Sequence, residues 1–377
     1  MMSMKKGLLS IAAAALMLTA CAENTSSAET AALPEIKQEL AGYEFKGREG
    51  LTFACKPSAI EADEVYILTS YPIKEQAADA EAEKMKKALS DLFGISESEQ
   101  ALFKKELRPL PLSGDWLVEL ENVCGGCIYA HSSNFNIFWH KGISSVSEFD
   151  LNMNKHSLYR IENAPTEPIR MADGSSLTVQ KAAEQAEGYI KKLVDAGVFG
   201  EDFTAKLTRC AVSDSVNGGK AIALHYAEQY LGLTLDDGGF IDGESKEQQL
   251  LNPYFEILFI GDGKPVWFNK TYSLSIEKAE KVEKLIPLSE AEKLLTEKLA
   301  PTMKADVTEA ELRYCSVFRI EDERRICRPM WCFVLKEYSE GRQAAFTPFP
   351  KTTAYIDAVD GTLYYCDSLK LEFTKTD

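Results

Sequence analysis

The sharpest chemical feature of the chain is Cys124-Gly125-Gly126-Cys127. Two thiols with two residues between them can cycle between dithiol and disulfide, and a helix N-terminus beneath the first would lower its pKa. The following residues, Ile128-Tyr129-Ala130-His131-Ser132-Ser133, do not read as a helix, and no thioredoxin-type strand-loop-helix context precedes them. A second chemistry is half a zinc site completed by His131 or His140, but there is no second CxxC and the histidine spacing fits no zinc-finger pattern. A third is a tight structural disulfide or an inert pair in a glycine turn; closing so short a loop stabilises by only about 2 kcal/mol before strain. The surroundings favour the third reading, and Cys124 and Cys127 stand as candidate redox or disulfide residues.

Eight cysteines follow Cys21: Cys55, Cys124, Cys127, Cys210, Cys315, Cys327, Cys332 and Cys366. An even number permits disulfides in an exported chain without proving them. Cys210 and Cys315 occupy the same place in two Leu-x-x-Cys-x-Val patterns, Leu207 to Val212 and Leu312 to Val317. Together with Cys327, Cys332 and Cys366 they are candidates for structural disulfides. A bridge such as Cys315 to Cys366 would close a long loop and contribute about 4 kcal/mol. The alternative is that strand cysteines act as small buried hydrophobes. The histidines, His131, His140, His156 and His225, show no i,i+4 zinc spacing and no HExxH. No GxSxG elbow, P-loop or Rossmann glycine fingerprint is present. Carboxylates are abundant, but no glycosidase-like pair stands out. The acidic run Asp236 to Glu244, within an insertion spanning Tyr230 to Asn252, could gather oxygens around calcium. It does not fit EF-hand spacing and reads as a solvated loop. The expectation is therefore no catalytic residue, no cofactor and no metal: a binding protein rather than an enzyme. The alternatives are a thiol-disulfide protein using Cys124 and Cys127, and a hydrolase or solute-binding lipoprotein.

The N-terminus carries an address. Lys5 and Lys6 precede an apolar run, Gly7 to Met17, too short to span a bilayer as a mature helix. Leu18-Thr19-Ala20-Cys21 then resembles the lipobox of bacterial lipoproteins. That resemblance implies a diacylglyceryl group on Cys21 and cleavage before it, so residues 1–20 are a signal peptide and 21–34 a flexible stalk rich in Ser, Thr, Ala and Glu. Buried acyl chains contribute about 0.8 kcal/mol per CH₂, so the expected location is extracytoplasmic, lipid-anchored to the cell membrane. Cleavage removes Lys5 and Lys6 and takes the formal charge from -16 to -18. So acidic a chain, without a basic stripe, repels phosphate backbones, and no nucleic-acid partner is expected.

The elements that must position these residues predict an α+β chain. Residues 35–150 read as an N-terminal α+β domain. Strands are expected at Val65 to Leu68, Trp116 to Leu120 and Phe135 to Trp139. Helices are expected over Lys74 to Phe93, stopped by Gly94, and over Glu97 to Leu107. Residues 151–175 read as a linker. Beyond it an internal repeat appears, 176–285 and 286–377. Each copy opens with a helix: Val179 to Ala196 capped by Thr178, and Glu290 to Leu299 with a Ser289/Glu292 capping box. Each continues through the Leu-x-x-Cys strand and an apolar strand, Ala221 to Leu224 or Met330 to Leu335, and closes with a hairpin about Asp262-Gly263 or Asp360-Gly361. In the second hairpin Ile356, Ala358, Leu363 and Tyr365 share the face that meets the helix.

This order resembles the PepSY-like modules of secreted and membrane-attached bacterial proteins. The matching residues are the Leu177-Thr178 and Leu288-Ser289 helix starts, the Asp357 to Gly361 strand pair, and the aromatic-bearing strand before it. The resemblance covers about Ser176 to Asp367, in two copies, and implies a helix packed on an antiparallel meander that serves a regulatory or inhibitory role. The partner it implies is an envelope protein, a protease or a signalling protein. The whole chain also resembles uncharacterised lipoproteins of gut-type anaerobic bacteria.

Overall fold

The computed structural model describes residues 28–70, 80, 83–84, 86–88, 90–92, 94–109, 116–121, 127–131, 135–140, 151–198, 202–215, 218–242, 254–263, 265–273, 276–299, 304–319, 324–337, 352–367 and 372–376. They form a mixed α+β fold dominated by one large sheet, with few helices. No helix among them is long and apolar enough to cross a membrane. Helix α1 is Leu33–Leu40 and is followed by strands β1, Leu51–Phe53, and β2, Tyr66–Ser70. The described residues between 80 and 92 are helical. Helix α2, Glu97–Gln100, precedes β3 Lys104–Pro109, β4 Trp116–Glu121, β5 Cys127–His131, β6 Phe135–His140 and β7 Leu151–Arg160. The hairpin β8 Ile169–Arg170 and β9 Ser176–Leu177 leads into helix α3, Val179–Asp195. Then come β10 Phe203–Ser215, β11 Lys220–Tyr230, β12 Leu233–Asp242, β13 Tyr254–Phe259, β14 Trp267–Ser273 and β15 Ile276–Lys281. Helix α4, Leu288–Lys298, precedes β16 Ala305–Arg319, β17 Arg324–Glu337, β18 Thr352–Asp357, β19 Leu363–Asp367 and β20 Glu372–Thr376.

Helix α3 forms where the sequence places it. Its buried side chains, Val179, Ala182, Ala186, Ile190 and Leu193, recur every three or four residues. The Thr178 hydroxyl accepts from the Lys181 amide at 3.1 Å. Gly197, at φ +70°, ends the helix, and the Val198 amide donates back to the Leu193 carbonyl at 2.9 Å. Gly94, at φ +66°, stops the residue 80–92 helix in the same way, with the Ile95 amide on the Ser90 carbonyl. The expected helix Glu97 to Leu107 is a single turn instead. From Lys104 onward the chain is strand β3, paired with β4 from Lys104↔Glu121 to Pro109↔Trp116.

Three further expectations change. The span 151–175, read as a linker, contains β7, which pairs with β10 through Cys210↔Tyr159 and Val212↔Ser157. The acidic insertion is not simply a loop: Leu233 to Asp242 is strand β12, which runs parallel to β16. The Ser289/Glu292 capping box does not form. Helix α4 starts two residues earlier, after Pro287, which offers no side-chain cap. Glu292, 4% exposed, instead accepts hydrogen bonds from the Lys46 amide at 2.7 Å, the Gly47 amide at 2.6 Å and the Tyr43 hydroxyl at 2.5 Å. A carboxylate read as a local cap thus ties α4 to the segment between α1 and β1.

After α3 the sheet runs β10-β11-β13-β14, all antiparallel, and after α4 it runs β16-β17-β18-β19, all antiparallel. Strand β12 continues from β11 and pairs with β16, so one sheet connects both meanders. The N-terminal strands add to the second meander: β1 parallel to β16, and β2 antiparallel to the first residues of β17.

The second Asp-Gly hairpin is wider than two residues. Ile356 pairs with Leu363, and Ala358 to Gly361 form the loop, with the Asp357 carboxylate accepting from the Val359 amide at 2.8 Å. The register is two residues away from that of a two-residue turn. Because side chains alternate with period two, Ile356, Ala358 and Leu363 still face inward. Ala354, Ile356, Ala358 and Leu363 are all at most 1% exposed and lie in the main core with Leu288, Ala291 and Leu295 of α4.

Candidate functional site

The two faces of β16 and β17 lead to different interiors. Leu312, Tyr314, Trp331 and Phe333 enter the main core. Their alternates, Cys315, Val317, Met330 and Cys332, together with Tyr355 of β18, form a separate small cluster on the opposite face. Such a sheet is buried on both sides here, which is why β17 reads as a continuous apolar run rather than an alternating one.

A buried polar group adjoins this second cluster. Parallel pairing of β12 with β16 matches Leu235 to Tyr314 and then Gly239 to Ser316, so β12 carries two extra residues between these points. A bulge of this kind re-aims side chains, and Asp236 sits at its start, 4% exposed. Its Oδ2 accepts from Nη1 of Arg313 at 3.1 Å, and its Oδ1 accepts from the Tyr355 hydroxyl at 3.0 Å. Arg313 also donates from Nη2 to Glu311 at 2.7 Å and lies 3.6 Å from Glu309. Burial alone would lower the guanidinium pKa, but Glu311 and Asp236 outweigh it and raise it well above its ordinary value.

Beside this pair, the sulfurs of Cys315 and Cys332 lie 3.6 Å apart. Cys315, Cys332 and a carboxylate oxygen of Asp236 all fall within 4.8 Å of one another. The two cysteines do not face each other in the ladder: Cys315 pairs with Arg328 and Cys332 with Glu311. Both are free thiols. Burial raises both pKa values, Cys315 well above its ordinary value, and the neighbouring Asp236 raises them further. They therefore carry protons at neutral pH and are not nucleophiles as they stand. Protonated thiols side by side with a carboxylate have two chemistries, oxidation to a disulfide and metal ligation with loss of protons.

The remaining cysteines are scattered. Cys210 is a free, buried thiol in β10, its pKa pushed up to about 11 by burial. Cys327 is a free thiol facing the Ser316 hydroxyl at 3.3 Å. Cys366 lies in β19, three strands from Cys315 across β18 and β17. Neighbouring strands are about 4.8 Å apart, so that separation is far beyond the reach of a disulfide. Cys127 begins β5, opposite Phe138 and Glu121; Cys124 and Cys21 lie outside the described residues.

Sequence reasoning named Cys315 and Cys332 but not their closeness, and it named Asp236 only as part of a solvated run. Arg313, Glu311 and Tyr355 were not singled out. A second buried carboxylate, Asp357, lies at the hairpin turn bonded to Nε of Arg328, whose Nη2 reaches Asp360 at 2.8 Å. Burial raises the Asp357 pKa and Arg328 lowers it, burial being the larger. An open cleft beside α1 is lined by Tyr43, Phe45, Phe53, Cys55 and Ile60, with neither Asp236 nor Asp357 in its lining.

No protein-family model matches the chain, and no curated protein does. Among solved structures it is similar to an uncharacterised protein from Eubacterium rectale ATCC 33656, at 10% identity and a TM-score of 0.51, over 88% of this chain and 98% of that one. At that identity the likeness shows a shared fold.

Proposed function

We propose that this chain is an exported lipoprotein, held at the extracytoplasmic face of the cell membrane through Cys21, whose folded part is a non-catalytic module that binds and regulates another envelope protein. The observation that carries the reading is the repeated order of helix and four-stranded meander, α3 with β10-β11-β13-β14 and α4 with β16-β17-β18-β19. This is the order of PepSY-like modules, and the two meanders are two copies of one unit. The buried carboxylates fit a scaffold. Glu292 holds a loop by its amides, Asp357 closes a turn, and Asp236 neutralises Arg313.

Detergent phase partition tests the anchor. The native chain enters the detergent phase and a Cys21→Ser variant stays in the aqueous phase; equal partition would refute lipidation. Crosslinking in intact cells, followed by mass mapping, tests the binding role. The expected result is one dominant envelope protein joined to residues of 176–377. Crosslinks spread at background level over abundant proteins would overturn it.

A further inference from the structure

We propose that Asp236, Cys315 and Cys332 are the ligands of a thiophilic divalent cation of the zinc type. This goes beyond the binding role above and does not depend on it.

The distances fit. Zinc–thiolate bonds are about 2.3 Å, so two sulfurs on a tetrahedral ion sit about 3.8 Å apart. The sulfurs of Cys315 and Cys332 are at 3.6 Å before any ion enters. The Asp236 oxygen, within 4.8 Å of both sulfurs, needs to close by at most about 1.3 Å to the sulfur–oxygen separation of about 3.5 Å on a tetrahedral ion. Two sulfurs and one oxygen select zinc, cadmium or cobalt over magnesium and calcium, which prefer oxygen shells.

The surroundings fit as well. Metal-bound carboxylates are held by outer hydrogen bonds that fix their orientation. Here Tyr355 donates to one oxygen of Asp236 and Arg313 to the other. The charge balance is favourable. Two protonated thiols and M²⁺ give a dithiolate complex and two released protons. The enclosed charge of the cluster is therefore the same before and after binding, and the ion enters without adding a buried charge. Asp236, Cys315 and Cys332 are 4%, 0% and 2% exposed, which shields the three ligand atoms from bulk solvent. Among the described residues these three supply the ligand atoms; a water or a small exogenous donor completes a tetrahedron.

The test uses the full mature chain carrying Cys124→Ser and Cys127→Ser, so that the CGGC turn cannot bind. The reduced chain is refolded with cobalt(II) and titrated by its thiolate-to-cobalt charge-transfer absorption. The expected result is one cobalt per chain with the intensity of two thiolates, displaced by one equivalent of zinc. Cys315→Ser and Cys332→Ser each halve that intensity and weaken binding at least tenfold; Asp236→Asn weakens it about tenfold with the band retained, in the range of ligand-sphere changes. X-ray absorption at the zinc edge, on the chain with all three ligands intact, counts the sulfurs without relying on these variants and should find two. No charge-transfer band, a sulfur count below two, or a band unchanged in the Cys315→Ser/Cys332→Ser double variant would each overturn the proposal.

Discussion

Arg313 shows how much a single buried charge matters in this sheet. Its Nη1 lies 3.1 Å from a carboxylate oxygen of Asp236, whose side chain is 3% exposed. Removing one member of a buried pair strands the other in a medium that cannot solvate it. Arg313→Ala should therefore lower unfolding free energy by about 3 kcal/mol, read from the denaturant midpoint. The double variant Asp236→Asn/Arg313→Met, which removes both members of the most buried pair and leaves only the more exposed Glu309 and Glu311 without the guanidinium, should lose less than the single one; an equal or larger loss would mean that packing rather than charge dominates. Cys210 makes a pH-dependent prediction. Its folded pKa is about 11 against an ordinary 9.0. The folded chain then holds a proton that the unfolded chain releases between those values, so stability falls as pH rises through that window. The slope is at most about 1.4 kcal/mol per pH unit. Cys210→Ala should make that fall shallower by the Cys210 share and not abolish it, because Cys55, Cys315 and Cys332 also have raised pKa values, and it should leave the pH dependence between pH 7 and 8 unchanged. Neither feature was legible in the chain. Cys315 and Cys332 are 17 residues apart, and only the register of a long hairpin and a bulge in a strand 77 residues upstream of Arg313 bring them to Asp236.

Helix α4 illustrates which elements are readable and which are not. The helix was expected from its start signal and the buried face of the following hairpin from its alternation, because both depend on local pattern. The hairpin face is the expected one although the turn is wider than Asp360-Gly361 alone, because the register differs from that of a two-residue turn by an even number of residues. The capping box failed because Glu292 had stronger offers: two backbone amides and a phenol from residues 43–47, nearly 250 positions away. Helix α2 failed for the same kind of reason, since pairing with β4 recruits Lys104 to Pro109 into a strand. Long-range pairing overrides local propensity whenever it satisfies more backbone groups. Glu292 consequently decides the order of the N-terminal segment. Glu292→Gln keeps the shape but replaces charge-assisted bonds with neutral ones, at a cost of about 1 to 2 kcal/mol. Glu292→Ala leaves the amides of Lys46 and Gly47 unpaired and costs more. Hydrogen exchange should speed up at residues 43–53 in both variants and stay unchanged in α3. Faster exchange throughout the chain would mean that the tie is global rather than local.

The whole molecule tests whether the two meanders are independent. Sequence boundaries at 175 and 285 suggest separable units, yet the contacts cross those boundaries. Residues 51–53 pair with the start of β16, and β12 pairs with its far end. The Tyr66 amide donates to the Tyr314 hydroxyl at 2.9 Å, and the Ala31 and Leu285 backbones bond reciprocally at 2.8 and 2.9 Å. Ile36, Leu51, Val65 and Leu68 from the N-terminal part share one core with Trp331, Phe333 and Ile222 from both meanders. A unit cut at residue 286 would lose the strands flanking β16 and β17 and expose the apolar surface they cover, at about 25 cal/mol per Å². It would also present unpaired edges that invite association. The fragment 286–377 should accordingly be unfolded or aggregated in isolation. The chain from residue 21 to 377 should unfold in one transition, with calorimetric and van't Hoff enthalpies in a ratio near one. Two resolved transitions, or a soluble and cooperatively folded fragment, would show instead that each meander carries its own stability, and that the bridge through β12 joins two finished domains.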